Sequence, residues 1–279
     1  MKKQFKAIIV LVFGVLLFAG VSVESNVDAG QNNDQTEFQD KASKLLKSNK
    51  KLKKQIKTKQ KKIEQNRAYI SKHSDQAQSD QNDSSSSASD LAQLDYAGKQ
   101  QITVNNNNPQ FSQADMSTAS GAWQSYGNLD GLNRVTAANA LLNKSLMPSD
   151  KRERLFISPT GWHNKRIKGG WLYNRSHLIG YQFTGQNNNM KNLMTGTASL
   201  NSPEMQAHEM DVAYYLKGDS RRFVRYRVTP VFRGNELLAR GVQMEAQSVG
   251  DDSVHFNVYI FNVQSGVSLN YADGTSRVG

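Results

Sequence analysis

Three apolar patterns follow one another along the chain. Lys2, Lys3 and Lys6 precede an uncharged run from Ala7 to Val23, AIIVLVFGVLLFAGVSV. A positive flank ahead of an apolar stretch predicts an export signal or, if uncut, an N-terminal membrane anchor over residues 1–29. From residue 38 to 70 the apolar positions Leu45, Leu52, Ile56, Ile63 and Ile70 are spaced by seven and four, one face of a helix, although Lys59 and Asn66 break the seam. That spacing predicts a basic, coiled-coil-like helical stalk over residues 30–72, with weak self-association through 38–70. Residues 73–90 are rich in Ser, Asp and Gln with no apolar period, and too little apolar surface to offset ordering entropy. They read as a disordered linker, and the folded domain as 91–279.

Inside that domain the periods mix. A strand is expected at Gln101–Val104, followed by an Asn turn closed by Pro109. Leu129–Leu142, LDGLNRVTAANALL, reads as a helix, and Pro148-Ser149-Asp150 as a turn into another short helix. Trp171-Leu172-Tyr173 leads a strand that ends in Asn174-Arg175-Ser176-His177. Ser202-Pro203-Glu204 carries a helix-start signature, Ser as cap and Pro in the first turn, for a helix running to about Lys217 and stopping at Gly218-Asp219. Val224, Tyr226 and Val228 alternate with Arg225 and Arg227. Val254, Phe256, Val258 and Ile260 repeat the period of two. The pattern predicts an α+β domain with a central antiparallel sheet flanked by helices.

Composition narrows the chemistry. There is no Cys, which excludes disulfides, thiolate metal sites and a Cys nucleophile. The net charge of +11 is unevenly placed: residues 37–72 carry twelve Lys and one Arg against Glu37, Asp40 and Glu64, whereas 73–95 carry five Asp and no base. The domain itself is only mildly positive, enough to assist phosphate binding without proving it.

The stretch Trp171–Asn201 gathers imidazole, guanidinium and neutral amides, the parts a one-metal phosphodiesterase needs. His177 is the expected general base, and Arg175, two positions earlier on the same strand face, the expected phosphate clamp. The tetrad Asn174–His177 resembles the Asp-Arg-Gly-His motif of the sugar-non-specific DNA/RNA endonucleases with the ββα-metal fold. The longer string YNRSHLIGYQ…KNL…N…E is similar to the streptococcal-type secreted and DNA-entry members. The likeness runs from about Leu91 to the C-terminus. Asn174 stands where the motif has Asp and Ser176 where it has Gly; Arg175 and His177 are kept.

The resemblance implies that Asn201 holds one hydrated divalent cation, Mg²⁺ with Mn²⁺ as an alternative. Glu209 would touch that cation through water or steady its shell, with Asn174 and Asn192 in support. Trp162 and His163 are candidates to line the groove, and Arg225 and Arg227 to track a nucleic-acid backbone. Asp211 is a fallback acid, His208 reads as a surface residue, and Asn187–Asn189 read as turn residues.

The implied protein is an exported enzyme, secreted or held at the outer face of the membrane by its N-terminus, that cuts DNA and, on an open alternative, RNA. A different class remains: a non-catalytic surface protein that captures polyanions through the basic stalk.

Overall fold

The structure, a computed structural model, describes residues 40–54, 57 and 88–279. The expected signal or anchor over 1–29, most of the stalk and most of the 73–90 linker lie outside the described residues. The chain divides into two compact units, 1–81 and 82–279. In the first, residues 40–54 are helical (α1) and exposed along their whole length, Leu45 and Leu52 included.

The second unit runs through helix α2 (Ala88–Gln93), strands β1 (Gln101–Thr103), β2 (Trp123–Tyr126), β3 (Ala138–Asn143), β4 (Arg166–Ile167), β5 (Gly170–Trp171) and β6 (Tyr173–His177), and helix α3 (Tyr181–Thr184). It continues through β7 (Leu193–Thr197), α4 (Gln206–Gly218), β8 (Phe223–Val231), β9 (Gly241–Ser248), β10 (His255–Phe261), β11 (Val267–Leu269) and β12 (Ser276–Val278). Six strands form one antiparallel sheet in the order β1-β10-β9-β8-β3-β2. The period-two pattern sets its faces: Val224, Tyr226 and Val228 of β8 and Phe256, Val258 and Ile260 of β10 enter the main core.

On that face lies a ββα unit, the antiparallel pair β6–β7 followed by α4. Leu178, Ile179, Met194, Leu200, Val212 and Leu216 pack it onto the sheet. Burial of these side chains, each worth about 1.5–3 kcal/mol, ties the strand carrying His177 to a rigid base. The opposite face is closed near β10 by α2, whose Leu91 packs with Tyr259 and Phe261.

Two expected helices are absent. In Leu129–Leu142, Asp130 Oδ1 accepts from the backbone of Leu132 and Arg134 while Asn133 turns with φ 59°, so the first half is a tight turn. The second half is β3, whose Ala138, Ala140, Leu141 and Leu142 are fully buried. A run apolar on both faces has no period to separate strand from helix. Residues 150–158 form an irregular loop. The third helix ends at Gly218 as expected but begins at Gln206, because Ser202 is extended (φ −153°, ψ 121°) and caps no backbone N–H; its hydroxyl meets Gln206 Oε1 at 2.7 Å.

Candidate active site

The end of β6 is fixed before any chemistry is considered. Asn164 exchanges two hydrogen bonds with the backbone of Tyr173 at one end of the strand. At the other, the buried side chain of Asn192 accepts from Ile179 N at 2.9 Å and donates to Ile179 O at 3.0 Å. Asn192 therefore holds the turn that follows His177, rather than the Asn201 loop or a metal-bound water. Ser176 faces inward with its hydroxyl unpaired, in space that Gly196 of β7 leaves open: a Cβ there would lie 2.4 Å from Ser176 Oγ. The motif's small residue has in effect moved across the strand pair.

His177 is 6% exposed. Its Nε2 lies 2.9 Å from the carbonyl oxygen of Asn187. A carbonyl only accepts, so Nε2 carries the proton and Nδ1 presents its lone pair. Nδ1 faces the guanidinium of Arg152 at 3.3 Å. Burial, reinforced by the Arg152 charge, holds the imidazole below its ordinary pKa against the pull of the Asn187 carbonyl, so the ring is neutral near pH 7.

His177, like the Arg152 that its Nδ1 meets, lines a groove of about 980 Å³ together with Arg154, Asn174, Arg175, Asn201 and Glu209, among others. Arg175 donates from Nε to Ile157 O, and its guanidinium lies 4.2 Å over the ring of Trp162, which also borders the groove. Glu209, on the first turn of α4, is pushed up to about pH 7 by burial, with Arg152 and a long hydrogen bond from Gln182 opposing. Gly180 abuts it: a Cβ there would stand 2.9 Å from Glu209 Oε1.

Asn201, at the irregular turn before α4, is partly exposed, and its side chain makes no hydrogen bond to another of the described residues. Asn201 and the Glu209 carboxylate both line the groove and offer hard oxygen donors, and no group of three or more His, Asp or Glu gathers among the described residues. A site of one amide, one carboxylate and room for solvent fits a strongly hydrated divalent cation such as Mg²⁺ better than a dedicated protein cage.

Other expected residues lie elsewhere. His163 is exposed, outside the groove, and near Asp273. Arg225 is 3% exposed and donates to Ala140 O, Tyr226 O and Asn139 Oδ1 between the rings of Phe111 and Trp123. Arg227 pairs with Glu245 at 2.7 Å. These two arginines are covered by the segment carrying Phe111 and do not track a backbone; strand alternation placed them on the side of the sheet away from the groove. His208 is half-buried rather than freely exposed: Nε2 meets Gln101 Oε1 at 2.7 Å and the ring packs on Phe256. Asp211 is exposed and lines a separate hollow with Tyr214 and His255.

Sequence reading also missed residues. Arg152 and Arg154 sit on the 150–158 loop, which Asn188 clips by accepting from Phe156 N and donating to Arg154 O, both at 3.0 Å. The run therefore does more than turn the chain: the backbone carbonyl of Asn187 meets the imidazole, and the Asn188 side chain holds the basic loop beside it. The available signal was the charge cluster Lys151-Arg152-Glu153-Arg154 just after a turn.

Residues 116–250 match the family model described as DNA/RNA non-specific endonuclease. A deoxyribonuclease of Streptococcus dysgalactiae subsp. equisimilis is 27% identical over 194 residues, covering 53% of this chain. The chain spans 59% of that relative's length. Among solved structures, NucA from Streptococcus agalactiae with a magnesium ion bound is 26% identical with a TM-score of 0.58, the match covering 63% of this chain and 86% of NucA. The Sda1 nuclease with a bound zinc ion is 26% identical with a TM-score of 0.50, covering 55% of this chain and 79% of Sda1.

Proposed function

We propose that this chain, whose residues 116–250 match the DNA/RNA non-specific endonuclease model, is an exported enzyme that hydrolyses DNA phosphodiester bonds with a divalent cation, Mg²⁺ first. The observation that carries the reading is His177, whose Nε2 is spent on the Asn187 backbone carbonyl, whose Nδ1 meets Arg152, and which lines the same groove as Arg152, Asn201 and Glu209.

In this reading Nδ1 of His177 takes a proton from the attacking water. Arg175, held flat between Ile157 O and the Trp162 ring, binds the phosphate and stabilises the charge that develops on it. Arg152 marks the anion-seeking end of the groove: in the free protein its guanidinium rests against Nδ1, and a bound phosphate draws it off the base. Asn201 and Glu209 would hold the cation, which when bound neutralises charge on the phosphate and on the leaving 3′ oxygen. These contacts address phosphate rather than base edges, so little sequence preference is expected, and RNA is admitted as well as DNA.

His177→Ala should lower plasmid nicking by at least about a hundredfold with the fold intact, and chelation with EDTA should silence the wild type. Undiminished cutting by the variant would overturn the assignment.

The exposed lysine-bearing helix α1 favours a second role beside catalysis, retention of polyanions at the surface by the stalk. Loss of DNA binding on deleting residues 37–72, with cutting retained by a chain beginning near Leu91, would separate the two roles. Export, membrane attachment and self-association through 38–70 rest on the N-terminal sequence, and mass spectrometry of the mature N-terminus tests the first two.

A further inference from the structure

Next to the groove stands a short hairpin that the catalytic reading leaves unused. Strands β4 and β5 pair Arg166 with Trp171 and Ile167 with Gly170, so Arg166 and Trp171 share one face and Ile167 takes the other. Ile167 packs inward against the cluster of Leu172, Tyr173 and Leu238. Lys165 donates from Nζ to Ser276 O, and Leu172 N donates to Lys165 O at 3.0 Å. The hairpin is thus anchored at its base. Its tip, Lys168-Gly169-Gly170, turns through φ 100° and 147° at the two glycines, with nothing within 4 Å of either.

Trp171 borders the same groove as His177 and is 50% exposed, and the Arg166 guanidinium lies 4.3 Å over its ring. From Lys165 to Asn174 the sequence KRIKGGWLYN holds three bases and no acid. A half-exposed indole bordering the groove, with the Arg166 guanidinium on one face of its ring, exposed Lys168 beside it and no acidic residue in the hairpin's own sequence, suits one class of ligand. It has a flat π-face for Trp171 and anionic links for Arg166 and Lys168, which describes an unpaired nucleotide. An aliphatic or neutral partner would leave both cations idle, and an acidic peptide would leave the ring without a flat counterpart.

Resting on the nuclease reading above, we infer that the β4–β5 hairpin is a nucleobase platform. An unpaired base flanking the bond to be cut stacks on Trp171, while Arg166 and Lys168 take the neighbouring phosphates. Stacking is indifferent to base identity, since every base has a π-face. The platform therefore adds affinity for single-stranded or melted segments without adding sequence preference.

The test uses the full chain carrying His177→Ala, so that nothing is cut, titrated with a short single-stranded DNA oligonucleotide and with an abasic oligonucleotide of the same length. Tryptophan fluorescence and a binding isotherm are read together, and wild-type cutting is checked in parallel. Adding Trp171→Ala should weaken binding of the base-bearing strand about tenfold, leave the abasic strand unaffected and remove most of the fluorescence quench. Trp171→Phe, which keeps an aromatic face, should retain most of the affinity and guards against a folding defect in the alanine variant. Equal affinities with and without Trp171, or an equal loss on both oligonucleotides, would overturn the platform. If the wild type cuts DNA and either of those results appears, only the platform falls; a wild type that neither binds nor cuts would remove the nuclease reading itself.

Discussion

Gly180 offers a perturbation of one methyl group whose effects on activity and on stability should part company. Its backbone (φ −55°, ψ 142°) is open to any L-residue, so alanine costs nothing in conformation. The added Cβ would stand 2.9 Å from Oε1 of Glu209 and 3.1 Å from Cδ and Oε2. Carbon contacts are comfortable near ~3.5 Å, so the carboxylate must retreat by on the order of 0.5 Å. It is the free end of a flexible side chain, so the fold should absorb the change, and the stiffer unfolded chain should offset part of it by about 0.4–1 kcal/mol. A functional group displaced by about 0.5 Å is at the limit a working site tolerates, and a displaced supporting ligand typically costs about 10–100-fold in metal affinity or activity.

Plasmid nicking followed against Mg²⁺ concentration should therefore show Gly180→Ala needing about tenfold more cation for half-maximal rate, with the thermal midpoint within a few degrees of wild type. In a Glu209→Gln background the same alanine should add little, because the two changes act on one contact. An unchanged Mg²⁺ profile in a folded Gly180→Ala chain would refute the placement of Glu209 at the cation site.

Arg225→Met should destabilise the domain by about 3 kcal/mol in urea unfolding, since it leaves three buried acceptors and Asp115 without their cation, yet the KM for DNA should not move. A raised KM would restore Arg225 as a substrate contact. His208, brought down to about 4 by burial, stays neutral in the fold while the unfolded chain takes up a proton below its ordinary value of 6.5. Stability is therefore lost as pH falls from 6.5 toward 4, and between pH 7 and 5 wild type should lose on the order of 2 kcal/mol more than His208→Gln, measured by urea unfolding at both pH values. Gly196→Ala drives a methyl to 2.4 Å from Ser176 Oγ and 2.8 Å from Leu200 Cδ2, which should cost about 1–3 kcal/mol. The penalty should shrink in a Ser176→Gly background, and strict additivity in that cycle would show that the two residues do not share the space.

Much of the sheet could be read directly from the chain. Val224, Tyr226, Val228 and the residues from Val254 to Ile260 alternate because a half-buried strand must, and period two survives without knowledge of any partner. The strand ending in His177 and the helix stopping at Gly218 were equally local statements. Leu129–Leu142 was not legible, because its second half is buried on both sides and a uniformly apolar run fits either period; only the neighbours β2 and β8 make it a strand. The same division holds at the site. Residue type and strand spacing nominated His177 and Arg175, since few side chains can take a proton or clamp a phosphate, whereas Asn201 and Glu209 were implied by the family resemblance. Which ring nitrogen is free, which arginines reach the groove and which are walled in under Phe111 depend on pairings across long sequence distances. Asn187 and Arg152 acquire their roles only when separate loops meet His177, and Arg225 loses its expected role only when the sheet turns it away. Local chemistry is written in the order of residues, whereas the direction a side chain finally faces is set by whatever the fold packs against it.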